Sequence, residues 1–482
     1  MSQAATALVP ILLETLTKQS DDIDDDESWN IAMAGATCLD LVAQTIGDPA
    51  VDLTIPFIQA NIQNPNWRLK EASIMAFGSI VDGPSTEKLT PIVSAAIPVL
   101  VGCMQDPSEL VRDTSAWTIG RICEFQKESL RPESIEPMVG ALAAILDDPH
   151  LKVVSQACFA VHNLAEACKD ENEAPSNILS SFMPQMLGKL FGVTLRQHGD
   201  AESLVNLRTS AFEAIMMMIE NCATDMLPVV LQVLQQGFTL LEQTLAPQAD
   251  TGERTTALST LCSMVHVCVN KLPETAVDVG VADRAMMLLL QVFTSSRGAA
   301  AHSDAFMAIG YLAGKRGKDF VRYMPHLVPF LIQGLKNVDE PQVCRTAVGL
   351  VGDLCRALED ELKPHCDDIM RHLIELLQSP VLDKEVKPDV ISSFADIAMA
   401  IEGDFDRYAS IILELLRQAG EVEVPADDEE LQDYVTTLYI SILEAYSGVL
   451  QVQALDTSAH GGPILFAVHF KPFIVLVLPM YS

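Results

Sequence analysis

One helical pattern returns along this chain at a fixed interval, and that interval restricts the possible folds more than any single residue. NPNWRLKEASIMAFGSIVDG (64–83), DPSELVRDTSAWTIGRICEF (106–125) and DPHLKVVSQACFAVHNLAEA (148–167) begin 42 residues apart. VDEPQVCRTAVGLVGDLCRA (338–357) is a fourth copy. Each opens with a polar, proline-bearing loop, passes a basic or branched residue and continues as an Ala-rich apolar helix. Similar helices centre near Ser263, Gly310 and Asp396, with a less regular one near Met216. A period of roughly 40–47 residues with two helices per unit is the mark of HEAT or armadillo arrays. In such an array each repeat buries its apolar face only against its neighbours.

The length agrees. A chain of 482 residues exceeds what one compact core usually holds, yet no composition shift divides it. Aromatic residues are only 6% of the chain, and Val/Ile/Thr/Tyr alternation between Asn-Gly turns is almost absent. The expected class is therefore all-α, an α-solenoid of about ten helix pairs over residues 1–451, followed by a non-repeat apolar tail, 452–482. The pairs read as 3–19 with 29–46, 51–62 with 68–82, 90–104 with 109–126, 134–146 with 151–168, and 176–195 with 203–223. They continue as 225–245 with 252–271, 275–295 with 300–316, 319–336 with 340–359, 361–378 with 384–402, and 404–419 with 428–450. Pro56, Pro65, Pro91, Pro107, Pro149, Pro184, Pro228, Pro329, Pro341 and Pro388 are expected in loops or first helical turns, where a missing N–H costs little.

The formal net charge is −34, from 65 acidic against 31 basic side chains. A surface this anionic repels nucleic acid and anionic membrane and attracts basic partners. Acidic charge that merely keeps a large apolar chain in solution would give the same total. Eleven cysteines are scattered without a C-x-x-C pair, most of them inside apolar helices (Cys38, Cys103, Cys123, Cys158, Cys222, Cys262, Cys344, Cys355). That is the usage of core thiols in a reducing compartment. The N-terminal stretch has no basic region of the signal-peptide kind and reads as an amphipathic helix that begins inside the repeat pattern, as in a truncated array.

The second helices carry the chemistry. Asp113, Gly120 and Glu124 lie at i−4, i+3 and i+7 from Trp117, on one stripe. One period on, Trp117 maps to Phe159, Arg121 to Asn163 and Glu124 to Glu166; one period back, Glu124 maps to Asp82. Asp82, Glu124 and Glu166 thus stand in register on successive second helices. Carboxylates with aromatic rungs between them suit a basic helix or extended basic peptide, since acids pair with Lys and Arg and a ring face accepts a cation. The same spacing also fits rings that pack between repeats and acids on a solvated edge.

The densest charge is Asp21, Asp22, Asp24, Asp25, Asp26 and Glu27, followed by Trp29. A block of one sign reads as a solvated loop, and its functional reading is an electrostatic clamp for a basic ligand with Trp29 as anchor. It lacks the glycine and the terminal glutamate of a calcium loop, so no metal is expected. No H-E-x-x-H, Walker loop or G-x-G-x-x-G follows a strand, so neither a cofactor nor catalysis is expected.

DDIDDDESWN, NPNWRLKEASIMAFGSIVDGP, DPSELVRDTSAWTIGRICE, QVCRTAVGLVGDLCRAL and KPDVISSFADIAMAIEGDF, in this order, resemble the importin-β (karyopherin-β) family of HEAT-repeat nuclear import receptors, in its plant-type form. The resemblance covers roughly residues 5–450. It implies a receptor of cytoplasm, nucleus and nuclear pore that wraps the basic helix of importin-α or binds basic cargo directly. FG nucleoporins would bind between outer helices, and Ran would release the cargo. It assigns the family's acidic loop to Asp21–Glu27 with Trp29, and its tryptophan rungs to Trp117 and to Phe159. A phenyl ring at the second rung keeps an aromatic face but attracts cations less than indole.

Two departures accompany the resemblance. Only one helix precedes the acidic loop, so the N-terminal region where Ran chiefly binds is expected to be missing. Residues 452–482 do not continue the pattern, and 463–482, though apolar, carries three prolines and Lys471, against a membrane helix. A general HEAT scaffold, of the phosphatase or adaptor-coat kind, shares the periodicity. The acidic loop with its tryptophan and the ring-and-acid stripe are what such a scaffold does not need.

Overall fold

The computed structural model describes residues 2–19, 31–169, 174–246, 251–421 and 429–460, and every regular element among them is a helix. The chain divides into two compact units, residues 1–230 and 231–482. The first holds α1 (Ser2–Thr15), α2 (Ile31–Ile46), α3 (Asp48–Asn61), α4 (Trp67–Gly78), α5 (Thr86–Cys103), α6 (Glu109–Phe125), α7 (Pro132–Ile145), α8 (Leu151–Ala167), α9 (Met183–Thr194) and α10 (Ala201–Glu220). From α11 (Leu227–Leu245), which carries the division, the second continues with α12 (Gly252–Lys271), α13 (Val279–Ser295), α14 (Ala299–Arg316), α15 (Met324–Leu335) and α16 (Pro341–Leu358). It ends with α17 (Cys366–Leu377), α18 (Val386–Ile401), α19 (Asp406–Ala419) and α20 (Glu429–His460).

Both units are HEAT-type stacks of helix pairs. In the first, α4, α6, α8 and α10 pack one on the next, as do α5, α7 and α9. In the second, α12, α14, α16, α18 and α20 form one such row, and α13, α15 and α17 the other. The even-numbered row is the tighter, because its facing positions are small: Ala72, Ala76, Ala116, Ala157 and Ala160 are all fully buried. Small side chains let helix axes approach closely and bury more area per residue.

The Asp-Pro loops have a double role that explains their recurrence. Asp106 accepts from the Ser108 backbone N–H at 3.0 Å, starting α6, and pairs with Lys70 of the preceding repeat at 2.7 Å. One period on, Asp148 accepts from the His150 N–H at 3.0 Å and pairs with Arg112 at 2.7 Å. A single carboxylate thus sets the helix entry and ties it to the repeat before. Elsewhere side-chain caps start the helices: Asn66 for α4, Asp200 for α10 and Asp278 for α13.

Some boundaries differ from the sequence reading, and Pro56, Pro91 and Pro329, expected in loops or first turns, lie inside α3, α5 and α15. The helix expected over 176–195 starts at Met183, because Asn177 and Ser180 form a hydrogen-bonded turn and Ser180 Oγ donates to Asp225 at 2.9 Å. Polar side chains there offer the backbone an alternative to helix. The helix expected over 361–378 is broken into a 3-10 turn, Glu359–His365, and α17. Glu359 turns the chain at φ +50°, and its counterparts Gly317 and Glu402 do the same at +53° and +51°. The last helix runs past residue 451 to His460, and residues 461–482 of the expected tail lie outside the described residues. Cys38, read as a core thiol, is exposed, and Cys103 is half-buried; eight others are buried, where desolvation holds thiols such as Cys344 well above their ordinary value, at about 11.

By length and composition alone, α5 and the stretch Leu431–Val452 of α20 reach the limits of a membrane-crossing helix. In the stack, α5 instead packs against α6 and α7 and buries Leu89, Val93, Ile97 and Leu100.

Candidate partner-binding site

The site lies in the first unit, on the even-numbered helices. The repeat aligns Gly78 of α4 with Gly120 of α6, and each glycine receives a ring from the next helix. A Cβ at Gly78 would stand 2.3 Å from the Trp117 ring, and one at Gly120 would stand 2.5 Å from the Phe159 ring. Both rings are half-buried, so each is partly packing and partly surface.

Asp82, Glu124 and Glu166 stand close together. Glu124 is exposed, and its carboxyl is raised by partial burial and by the charges of Asp82 and Glu166, against the opposing pull of Arg121 and His162. The row extends one repeat further back than the sequence reading took it. Asp40 of α2, one period before Asp82, is raised by burial, lowered by Arg121 and raised again by Asp82. Gln44 Nε2 donates to Asp82 at 2.8 Å. Four carboxylates spaced by one repeat therefore run along one edge: Asp40, Asp82, Glu124 and Glu166.

At the Trp117 rung the chain places a cation of its own beside the ring. This is Arg121, whose guanidinium lies 5.7 Å from the Trp117 ring centroid and 4.4 Å from that of Phe125. Arg121 Nη2 donates to Asp40 Oδ1 at 2.6 Å, and its Nε to the Gly78 carbonyl at 3.4 Å. Arg121 thus covers part of this first rung, while Trp117 also borders the recess at the next. The Phe159 rung is open: a recess of about 800 Å³ there is lined by Trp117, Glu124, Phe159, Asn163, Glu166 and Glu213, among others. Asn163 is only 6% exposed, and its amide nitrogen has no hydrogen-bond partner.

Asp113, at i−4 from Trp117 on α6, faces a second carboxylate. It is half-buried beside Glu71 of α4, its own counterpart one period earlier; burial, then the Glu71 charge, pushes its carboxyl up to about 7, with Lys152 opposing. Glu71 is buried and accepts from Gln19 Nε2 at 2.6 Å and Thr114 Oγ1 at 2.7 Å. Desolvation outweighs both hydrogen bonds and raises it to about 7. Asp113 thus stands partly exposed against the buried Glu71 of the preceding repeat.

Asp21, Asp22, Asp24, Asp25, Asp26, Glu27 and Trp29 lie outside the described residues. Among the described residues no group of His, Cys, Asp and Glu is arranged to hold a metal ion. The sequence reading missed Asp40 and Glu213. Asp40 was there to find by stepping the 42-residue register back once more. Glu213 was not, because the longer connection before α10 breaks the register.

A family model described as "Importin subunit beta-1-like, TPR repeats" matches residues 137–468, and one for a HEAT-like repeat matches 67–122. Importin subunit beta-1 of Arabidopsis thaliana is 41% identical over 98% of this chain and 55% of its own length. Importin subunit beta-1 of Schizosaccharomyces pombe is 38% identical over 94% of this chain and 53% of its own length. The chain thus spans about half the length of these relatives. A crystal structure of importin beta superposes with a TM-score of 0.90 at 32% identity, covering 99% of this chain and 55% of that one. A Kap95:Nup1 complex superposes at 0.84 and 30% identity, covering 99% and 54%. A structure in which Kap95p binding switches the loops of RanGDP to the GTP-bound conformation superposes at 0.75 and 30% identity, also covering 99% and 54%.

Proposed function

The chain belongs to the importin-β family, and from that membership we propose that it is a nuclear import receptor segment whose acidic edge holds a basic helix of importin-α or a basic segment of cargo. The observation that carries this is the row Asp40, Asp82, Glu124 and Glu166, spaced by one repeat beside two half-buried rings. Basic side chains at helical spacing meet such a row with several carboxylates at once, and their stems lie on the rings. The acidic segment Asp21–Glu27 with Trp29 adds charge of the same sign next to α2 in sequence. Docking to nucleoporins and to Ran, and residence in cytoplasm, nucleus and pore, follow the same reading; the Kap95 structures with Nup1 and RanGDP support it. Trp117 and Phe159 both border the recess, so either ring can meet the stem of a bound basic side chain.

Titrating a labelled basic helix against the chain tests the proposal. Affinity is expected to fall steeply between low and physiological salt, as screening shortens to roughly 8 Å. The double substitution Glu124→Gln with Glu166→Gln is expected to weaken binding and flatten the salt dependence. Binding indifferent to both salt and these carboxylates would end the reading.

A further inference from the structure

We propose that Gln19 is a pH-operated seal over the buried Glu71 carboxyl. The seal closes while Glu71 carries its proton and opens when the proton leaves. Asp21, the first residue of the acidic run, lies two positions beyond Gln19. Opening therefore releases from α4 the point where the chain enters that run.

Glu71 joins three elements and is 3% exposed. On one side Gln19 covers it: Gln19 Nε2 donates to Glu71 Oε2 at 2.6 Å and to the Arg68 carbonyl at 2.7 Å. Arg68 Nη1 donates back to the Gln19 carbonyl at 2.7 Å. On the other side Thr114 Oγ1 of α6, itself buried, donates to Glu71 Oε1 at 2.7 Å. Thr114 sits inside a packed helix. Gln19 instead follows a single turn beyond α1, in which the Thr17 and Lys18 N–H groups donate to the Glu14 and Thr15 carbonyls at 3.2 and 3.0 Å. Opening is therefore cheaper on the Gln19 side. The cover is also imperfect, because Gln19 Oε1 is buried without a hydrogen-bond partner. Contact with water on opening removes that cost.

The charges around Glu71 do not favour an anion there. From α6 it meets Asp113, of the same sign, and Lys152 of α8 acts on Asp113. Arg68, on its own helix, is engaged by the Gln19 carbonyl and lies 4.5 Å from the Trp67 ring centroid. Lys18, next to Gln19, pairs with Glu14 at 3.4 Å. From α2 and α3, which also pack on α4, no charged side chain among the described residues bears on Glu71. A proton lost behind the closed seal leaves a buried anion beside a second acid; turning Gln19 aside hydrates the carboxylate instead. Burial outweighs the two hydrogen bonds and holds the covered carboxyl at about 7, whereas a hydrated one ionises near 4.5. The closed form binds the proton more tightly, so it is favoured most below 4.5, loses ground from there to about 7 and is favoured least above.

Hydrogen exchange of the whole chain tests this, read by mass spectrometry over residues 16–19 and corrected for the intrinsic rate at each pH. Opening is expected to increase up to about tenfold per pH unit between pH 5 and 7 and to level off above, with α14 unchanged. Glu71→Gln, which cannot ionise, is expected to abolish the slope. Gln19→Ala, which removes the cover, is expected to exchange at every pH as fast as wild type does at pH 8. Asp113→Asn is expected to keep the slope. Exchange in wild type that is flat from pH 5 to 8, or a slope that survives Glu71→Gln, overturns the seal. A slope lost in Asp113→Asn assigns the proton to the other acid and overturns it as well. If circular dichroism shows Glu71→Gln unfolded, Gln19→Ala decides: a slope that persists without the glutamine side chain overturns the proposal, and its loss upholds it.

Discussion

Gly120 and Gly140 both lie inside helices, yet the same substitution should move stability in opposite directions at the two. At Gly140 in α7, a Cβ meets nothing within 4 Å. Alanine there removes the backbone entropy penalty of a helical glycine and should stabilise by about 0.5–1 kcal/mol. At Gly120 in α6, a Cβ stands 2.5 and 2.6 Å from two atoms of the Phe159 ring and 3.2 Å from the Ala160 backbone. The ring is rigid and held between α6 and α8, so α8 must move away. Overpacking of this kind costs about 1–3 kcal/mol, which outweighs the gain in helix propensity. Gly120→Ala should therefore destabilise by roughly 0–2 kcal/mol, centred near 1, once that gain of about 1 kcal/mol is subtracted. Adding Phe159→Ala should remove the clash, so that the pair of changes costs less than the sum of the two alone. Thermal and urea unfolding of the four variants against wild type measures this. Equal shifts for Gly120→Ala and Gly140→Ala, or strict additivity with Phe159→Ala, would refute the claim that the ring sits on the glycine.

Other consequences follow from the same geometry. The folded chain keeps Glu71 protonated up to about pH 7, whereas an unfolded chain releases that proton near 4.5, so its contribution is full below 4.5, falls as pH rises from there to about 7 and is lost above it. Glu71→Gln should raise the melting temperature at pH 8 more than at pH 5, and an equal shift at both would count against the buried carboxyl. Arg112→Ala leaves Asp148, 8% exposed, without its cation and should cost about 3 kcal/mol in chemical unfolding. Lys318→Ala, at an exposed pair with Glu359 and Asp360, should leave the midpoint unchanged. If the two variants behave alike, burial does not set the worth of these ion pairs.

Much of this molecule is legible without coordinates because the repeat is a local rule applied again and again. The 42-residue spacing fixes the all-α class and most helix boundaries. It also puts Asp82, Glu124 and Glu166 on one edge, since equal steps along a stack return side chains to equivalent places. Asp40 is the same rule taken one step further. The places where it fails are those where residues far apart in sequence meet. Ser180 finds Asp225, and α9 starts late. Asp113 finds Glu71, and a carboxylate read as surface is half-buried beside another acid.

Sequence by itself, then, determined the fold, the family resemblance and the row of acids. Only the tertiary structure decided which rung is open. Trp117 and Phe159 are equivalent positions in the pattern, but Arg121 is long enough to cross two repeats to Asp40 and Asn163 is not. One long side chain covers part of its rung and one short side chain leaves the next uncovered, and no periodicity distinguishes them until the reach of each is measured in space.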